Sequence, residues 1–209
     1  MTITEIKKTK NAMRYHVYVD DRFFGIFLDE TLAKTGLKTG QEIDEEELFA
    51  IKKENDKKLA FEMALSYLEK YSVSTKGLKD YLKKKQIEKE VIESTILKLQ
   101  EYGYLNDEVF AKEYFESLKK SKGKRAIANK LREKGISAEI VENLLETVDE
   151  EEEFERALVL GEKFVKNREK TLKNKQKCLA HLIYKGYSYS VARQVCDKLF
   201  NLEDDDDWA

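Results

Sequence analysis

The chain has 209 residues, 41% of them hydrophobic and 38% charged, with no proline and a formal net charge of -2. So many Lys and Glu residues without the commonest helix interrupter describe long, solvated, amphipathic helices. No run of about 18 apolar residues occurs, which argues against a membrane span, and the N-terminal MTITEIKKTK lacks the contiguous apolar core of a secretory signal.

The N-terminal stretch reads as β-structure. Arg14-Tyr15-His16-Val17-Tyr18-Val19 alternates aromatic and β-branched residues, as a half-buried strand does. Asp20-Asp21 turns the chain into Arg22-Phe23-Phe24-Gly25-Ile26-Phe27-Leu28, which predicts a hairpin, and Ile3 to Lys8 adds a third strand. Short helices are expected near 29–35 and 44–53, on either side of the glycine-punctuated loop Thr35 to Gly40. A sheet this small needs a helix against one face, so residues 1–54 are read as an N-terminal β-rich cap.

From residue 55 the period becomes helical, and three segments superimpose without gaps. Leu82 to Ile87 matches Leu131 to Ile136 and Leu182 to Tyr187, at offsets of 131 − 82 = 49 and 182 − 131 = 51. The same offsets carry Leu78 onto Ile127 and Cys178, Val91 onto Ile140 and Val191, Ile96 onto Leu145 and Cys196, and Leu99 onto Val148 and Leu199. This is the pattern of a tandem threefold repeat. The repeats occupy 55–105, 106–150 and 151–202, each with three helices, and an acidic tail follows at 203–209. The fold class is mainly α: three tandem three-helix, helix-turn-helix-like repeats after a small β-hairpin or three-stranded α+β cap. Gly135 and Gly186 fall where a left-handed C′ residue belongs, with Gln86 in their place in the first repeat, and Ser137 and Ser188 are the N-caps that follow. Between the first two repeats, Tyr102-Gly103-Tyr104 reverses the chain and Asn106 or Asp107 caps the next helix, the tyrosines being assigned to inter-repeat packing.

The positive charge is segregated. Lys119, Lys120, Lys122, Lys124, Arg125, Lys130 and Arg132 form one segment, and Lys163, Lys166, Arg168, Lys170, Lys173, Lys175 and Lys177 form a second. Residues 138–155 between them hold nine acids and no base. Two basic segments at repeat spacing suit an extended anionic partner, either a phosphate backbone or an acidic protein groove, and charge alone leaves both open.

No glycine-rich phosphate loop, GxSxG or HExxH motif occurs, so neither an enzyme nor a bound cofactor is expected. A zinc site would need more ligands than Cys178, Cys196 and the distant His16 and His181 supply. The two cysteines share columns with Leu78, Ile127, Ile96 and Leu145, which makes them core thiols of a cytoplasmic protein. His181, in the column of Tyr81 and Lys130, is assigned an ordinary, partly exposed position.

The joint carries a resemblance. Tyr102-Gly103-Tyr104-Leu105-Asn106-Asp107, then Phe110-Ala111, Gly123, Ile127 and Leu131-Arg132-Glu133-Lys134-Gly135-Ile136, resembles the central repeat of RecX proteins. Ala64-Leu65-Ser66-Tyr67-Leu68, Ser74, Leu78 and Leu82 are similar to that family's first repeat. Tyr71, Lys119-Lys120 and Gln86 depart from the usual pattern, and the β-containing extension looks like that of longer Gram-positive members. The resemblance implies a curved, elongated array and a monomeric, non-enzymatic modulator of the RecA recombinase. Such proteins bind in the groove of the RecA–DNA filament and limit ATP hydrolysis, strand exchange and filament extension, in recombination, DNA repair and the SOS response. Some also bind DNA weakly. The basic segments of repeats two and three would correspond to the family's interaction surfaces.

Two other readings stand beside it: a nucleic-acid-binding helix-turn-helix protein without sequence preference, and a helical-repeat scaffold for another protein. Acidic third helices such as Ala138-Glu139-Ile140-Val141-Glu142-Asn143 disfavour reading of base edges in the major groove.

Overall fold

The computed structural model describes residues 1–10 and 13–200, so Trp208 and the acidic tail at 203–209 lie outside the described residues. Strands β1 (Ile3–Lys8), β2 (Arg14–Val19) and β3 (Arg22–Leu28) form an antiparallel sheet in the order β1-β2-β3. Val19 pairs with Arg22 across Asp20 and Asp21, whose φ angles of 47° and 63° are those of a two-residue primed turn. The alternation in the strands buries Ile3, Val17, Val19 and Phe27 on one face. Leu37, Ile43 and Leu48, from the segment holding α1 (Asp29–Thr35) and the start of α2 (Glu45–Leu68), close over them.

Helix α2 corrects the expectation of a short helix near 44–53 in the cap, separate from the first helix of the repeat that starts at residue 55. It is one helix of 24 residues, begun by Asp44, whose carboxylate accepts from the Glu46 and Glu47 amides at 2.8 and 3.2 Å. Lys53-Glu54-Asn55-Asp56-Lys57 contains no glycine or proline to stop it, and Lys52–Asp56 and Lys57–Glu54 pair along its surface. The position read as a boundary, residues 54 and 55, is where the helix grips the sheet. Asn55 is fully buried. Its Oδ1 accepts from the Leu28 amide at 2.9 Å and its Nδ2 donates to the Ile26 carbonyl at 2.8 Å. One helix therefore serves the sheet with its first half and the first repeat with its second.

In that repeat, α3 (Thr75–Lys84) and α4 (Lys89–Glu101) pack with α2 around Ala64, Leu78, Leu82, Ile92, Ile96, Leu99 and Leu105. Ser74 caps α3 by accepting from the Gly77 amide at 3.2 Å, and Gln86 takes the left-handed conformation, φ 62°, that glycines hold in the other repeats. Gly103 has φ 72°, as the reversal requires. The flanking tyrosines are not packed away: Tyr102 and Tyr104 are 57% and 58% exposed. Tyr102 meets Phe61 of its own repeat edge-on at 6.1 Å, and the burial at this joint falls to Leu105.

Residues Met1–Asn106 form one compact unit and a second begins at Asp107. The second holds α5 (Asp107–Lys119), α6 (Lys124–Glu133) and α7 (Ala138–Glu146), then α8 (Glu150–Val165), α9 (Leu172–Tyr184) and α10 (Tyr189–Phe200). Gly135 and Gly186 have φ 82° and 94°, while Ser137 and Ser188 accept from the Ile140 and Val191 amides. The aligned columns are core: Leu82, Leu131 and Leu182 are fully buried, as are Leu78, Ile127 and Cys178 to within 1%.

Replacing Asn55 by Ala leaves the buried Leu28 amide and the partly buried Ile26 carbonyl without their side-chain partner. Urea unfolding is expected to show a loss of about 2–3 kcal/mol with little change in m. A loss below ~0.5 kcal/mol would mean that water takes over both bonds and that Asn55 does not fasten the sheet.

Candidate interaction surface

The first turn of α6 is bound by the third repeat. The Gly123 amide donates to the Lys185 carbonyl at 3.0 Å and the Arg125 amide to the Gly186 carbonyl at 3.1 Å. Between them, the Lys124 amide donates to Glu153 Oε1 at 2.9 Å. Glu153 is only 5% exposed, and its carboxylate at a helix N-terminus also opposes the positive end of the helix dipole. The approach is close enough to require two glycines. A Cβ on Gly123 would stand 2.5 Å from the Tyr187 nitrogen, and one on Gly186 would stand 2.3 Å from the Ala126 Cβ. The first repeat has the self-capping Ser74 at the position of Gly123, because there its own hydroxyl supplies the acceptor.

With its first turn occupied, α6 presents its opposite face outward. Ile127, Ala128 and Leu131 are buried, whereas Arg125, Asn129 and Arg132, at i, i+4 and i+7, are exposed on one stripe. Between α6 and α7 runs a groove of about 360 Å³ lined by Lys124, Arg125, Ala128, Asn129, Arg132 and Leu145. An open groove with three cations, an amide and two small apolar contacts suits carboxylates or phosphates presented on a surface.

The residues singled out by charge divide into two groups. Lys119 lies 3.6 Å from Glu152 and 3.8 Å from Glu116, with only a fifth of its side chain exposed. Lys130 pairs with Glu133 at 2.8 Å, which raises its pKa. Lys175 pairs with Asp197 at 2.9 Å. Arg168 donates to the Phe164 carbonyl and stands 4.0 Å from the centre of its ring. The others, Lys120, Lys122, Lys124, Arg125 and Arg132 in the second repeat and Lys163, Lys166, Lys170, Lys173 and Lys177 in the third, have no ion pair among the described residues. Asn129, Glu153 and Arg156, whose guanidinium holds Glu152 at 3.0 Å, were not singled out by sequence reasoning. A buried carboxylate in an acidic run carries no one-dimensional signal.

Family models described as the regulatory protein RecX N-terminal domain and the second and third three-helix domains of RecX match residues 1–44, 106–145 and 150–196. The chain is 33% identical to the regulatory protein RecX of Bacillus subtilis, over 98% of this chain and 79% of that one. It is 35% identical to that of Clostridioides difficile over 98% of both. The chain belongs to the RecX family. A crystal structure of regulatory protein RecX aligns over 94% of this chain and 98% of its own, with a TM-score of 0.68 and 26% identity. That of RecX from Lactobacillus salivarius aligns over 69% and 96%, with a TM-score of 0.62 and 26% identity. The match to the second three-helix domain of RecX contains α5, α6 and nearly all of α7, so the groove lies in a recognised unit of that family.

Other reactive side chains of this RecX-family chain are engaged in packing. Cys178 and Cys196 are free thiols in the core of the third repeat. Burial raises the Cys178 pKa and pushes that of Cys196 up to about 12. His181 is half-buried against Phe164, with ring centres 5.2 Å apart, and burial, followed by Lys185 and Arg168, lowers its pKa. No helix among the described residues is long and apolar enough to cross a membrane.

Two outcomes are expected. Gly186→Ala combines a left-handed φ with a clash against α6, and costs about 2–4 kcal/mol in thermal or urea unfolding; a neutral effect would mean that the seam is looser than these distances. The two thiols should stay unreactive towards Ellman's reagent at pH 8 in the native protein, since both pKa values are raised and the thiolate is the nucleophile. Both should react on unfolding, and a fast-reacting thiol in native protein contradicts their core placement.

Proposed function

We propose that this protein is a non-enzymatic regulator that lies in the groove of a RecA–DNA filament and slows its ATP hydrolysis, strand exchange and extension. The observation that carries the reading is the α6–α7 groove, in which the side chains of Lys124, Arg125 and Arg132 have no ion pair among the described residues. In the filament these cations meet acidic protein surface or DNA backbone, and modest contacts spread over several repeats sum through avidity. The protein acts in the cytoplasm, as a monomer, in recombination and DNA repair under the SOS response.

A second reading, binding to nucleic acid without sequence preference, is favoured by Lys163, Lys166, Lys170, Lys173 and Lys177, which surround the α8–α9 connection with no ion pair among the described residues. Such binding weakens steeply and linearly in log salt and is indifferent to sequence. The two readings are compatible where DNA backbone and recombinase form one groove.

The test is a RecA filament ATPase assay on single-stranded DNA, with the protein titrated below one copy per subunit. The wild type is expected to inhibit substoichiometrically. Arg125→Glu/Arg132→Glu, both exposed, is expected to raise the inhibitory concentration about tenfold or more with helicity unchanged. Lys124 is left intact because its amide holds Glu153 in the cap of α6, and Lys130 because it already serves Glu133. Equal inhibition by variant and wild type would remove the α6 groove from the binding face.

A further inference from the structure

The third repeat has its own groove between α9 and α10, and its chemistry differs. The space, about 420 Å³, is lined by Leu172, Leu179, Tyr189 and Cys196 together with Lys175 and Arg193. Leu172 and Tyr189 are 63% and 59% exposed, an apolar pair with no cover among the described residues. Asp197 is shared by Lys175 at 2.9 Å and Arg193 at 3.6 Å, so one carboxylate faces two cations. Lys173 and Lys177, on the same helix, add positive charge with no ion pair among the described residues. The groove thus offers apolar area beside surplus positive charge.

The chain itself contains the complement. After α10 come Glu203, Asp204, Asp205, Asp206 and Asp207, followed by Trp208, the only tryptophan of the protein. The starting point is favourable, because Asp197, at the Lys175 end of the groove, precedes Phe200 by less than one helical turn. From Tyr189 to Asp197 the groove wall runs roughly 12 Å along α10. Trp208 is eight residues beyond Phe200 and can reach as far as about 26 Å. Eight residues are therefore long enough to reach from Phe200 to either end of the groove.

We propose that the acidic tail docks in the α9–α10 groove of its own chain, carboxylates against Lys173, Lys175 and Lys177 and the Trp208 indole against Leu172 and Tyr189. The groove of the second repeat is the poorer host: its apolar lining is Ala128 and Leu145, one buried and one partly buried, with nothing exposed for an indole to cover. A docked tail neutralises the cations of the third repeat, so an acidic partner that uses them must first displace it.

Trp208 reports on its own surroundings. In the full chain its emission is expected to be blue-shifted and its quenching by acrylamide severalfold weaker than in a synthetic peptide of residues 201–209, both independent of protein concentration. Sodium chloride at about 1 M, where the screening length falls to ~3 Å, is expected to reduce the protection. L172S/Y189S should return emission and quenching to the peptide values with an unchanged circular dichroism spectrum. Should that variant perturb the fold, K173E/K177E, at exposed positions, reads the same contact through charge. Wild-type emission equal to the peptide's overturns the proposal. So does protection that vanishes on dilution, which assigns the tail to a second copy. Protection that survives both groove variants but is lost in R125E/R132E assigns it to the second repeat, and overturns it too.

Discussion

The close approach of two glycines is the constraint on which the second half of the molecule rests. Gly123 and Gly186 let the first turn of α6 lie against the α9–α10 connection at a distance no side chain tolerates. The amides exposed by that approach are used at once, two on the Lys185 and Gly186 carbonyls and one on the Glu153 carboxylate. A helix pinned at its N-terminus by three directed bonds cannot rotate about its axis. With Ile127, Ala128 and Leu131 turned into the core, Arg125, Asn129 and Arg132 have only the outer face left. The seam thus sets where the groove is and which residues line it.

The same seam changes the meaning of the charges. Along the sequence, the acids of 138–155 look like a repulsive interruption between two basic segments. In the fold, part of that run is already engaged: Glu152, at the surface, pairs with Lys119 and Arg156, and the buried Glu153 caps α6. Lys119 is equally withdrawn from any partner. The exposed pair Lys130–Glu133 contributes little to stability, as surface ion pairs do, but its carboxylate offsets the charge that Lys130 can offer. What remains open is a smaller and better-defined set of cations than composition suggests.

Much of the fold is legible because its signals are local. Period, left-handed glycines and serine caps locate α6, α7, α9 and α10, and the alternation around Asp20-Asp21 locates the hairpin. Two of the misses, Asn55 and Glu153, share a cause: each depends on a partner far away in sequence. Asn55, a polar residue among Lys, Glu and Asp, reads as a break until β3 is seen to need two hydrogen bonds from it. Tyr102 and Tyr104 are assigned to inter-repeat packing from their place beside Gly103, yet both are more than half exposed and it is the adjacent Leu105 that is buried. Glu153 cannot be told from its three acidic neighbours before α6 is placed beside it. The candidate site was legible as a segment and not as a surface, since counting Lys and Arg cannot reveal which of them meet a carboxylate.

Comparing the repeats column by column shows where the sequence was free to change. The Leu82, Leu131 and Leu182 column is identical and fully buried, and the Leu78, Ile127 and Cys178 column differs only in apolar shape. The groove between second and third helices does not hold to one chemistry. In the first repeat Lys79 binds Glu93 at 2.6 Å and Gln100 binds Thr75 at 3.3 Å, which ties the two helices together across it. The offset of 49 places Ala128 at the position of Lys79, so the second repeat lacks that tie and leaves Arg125 and Arg132 beside open space. The further offset of 51 carries Lys124, Ala128 and Leu145 onto Lys175, Leu179 and Cys196, and there Leu172 and Tyr189 add exposed apolar area. Core positions are held by packing, where a methylene matters. Groove positions bear no such load, so three copies of one scaffold can present a closed, a cationic and an amphipathic surface in turn.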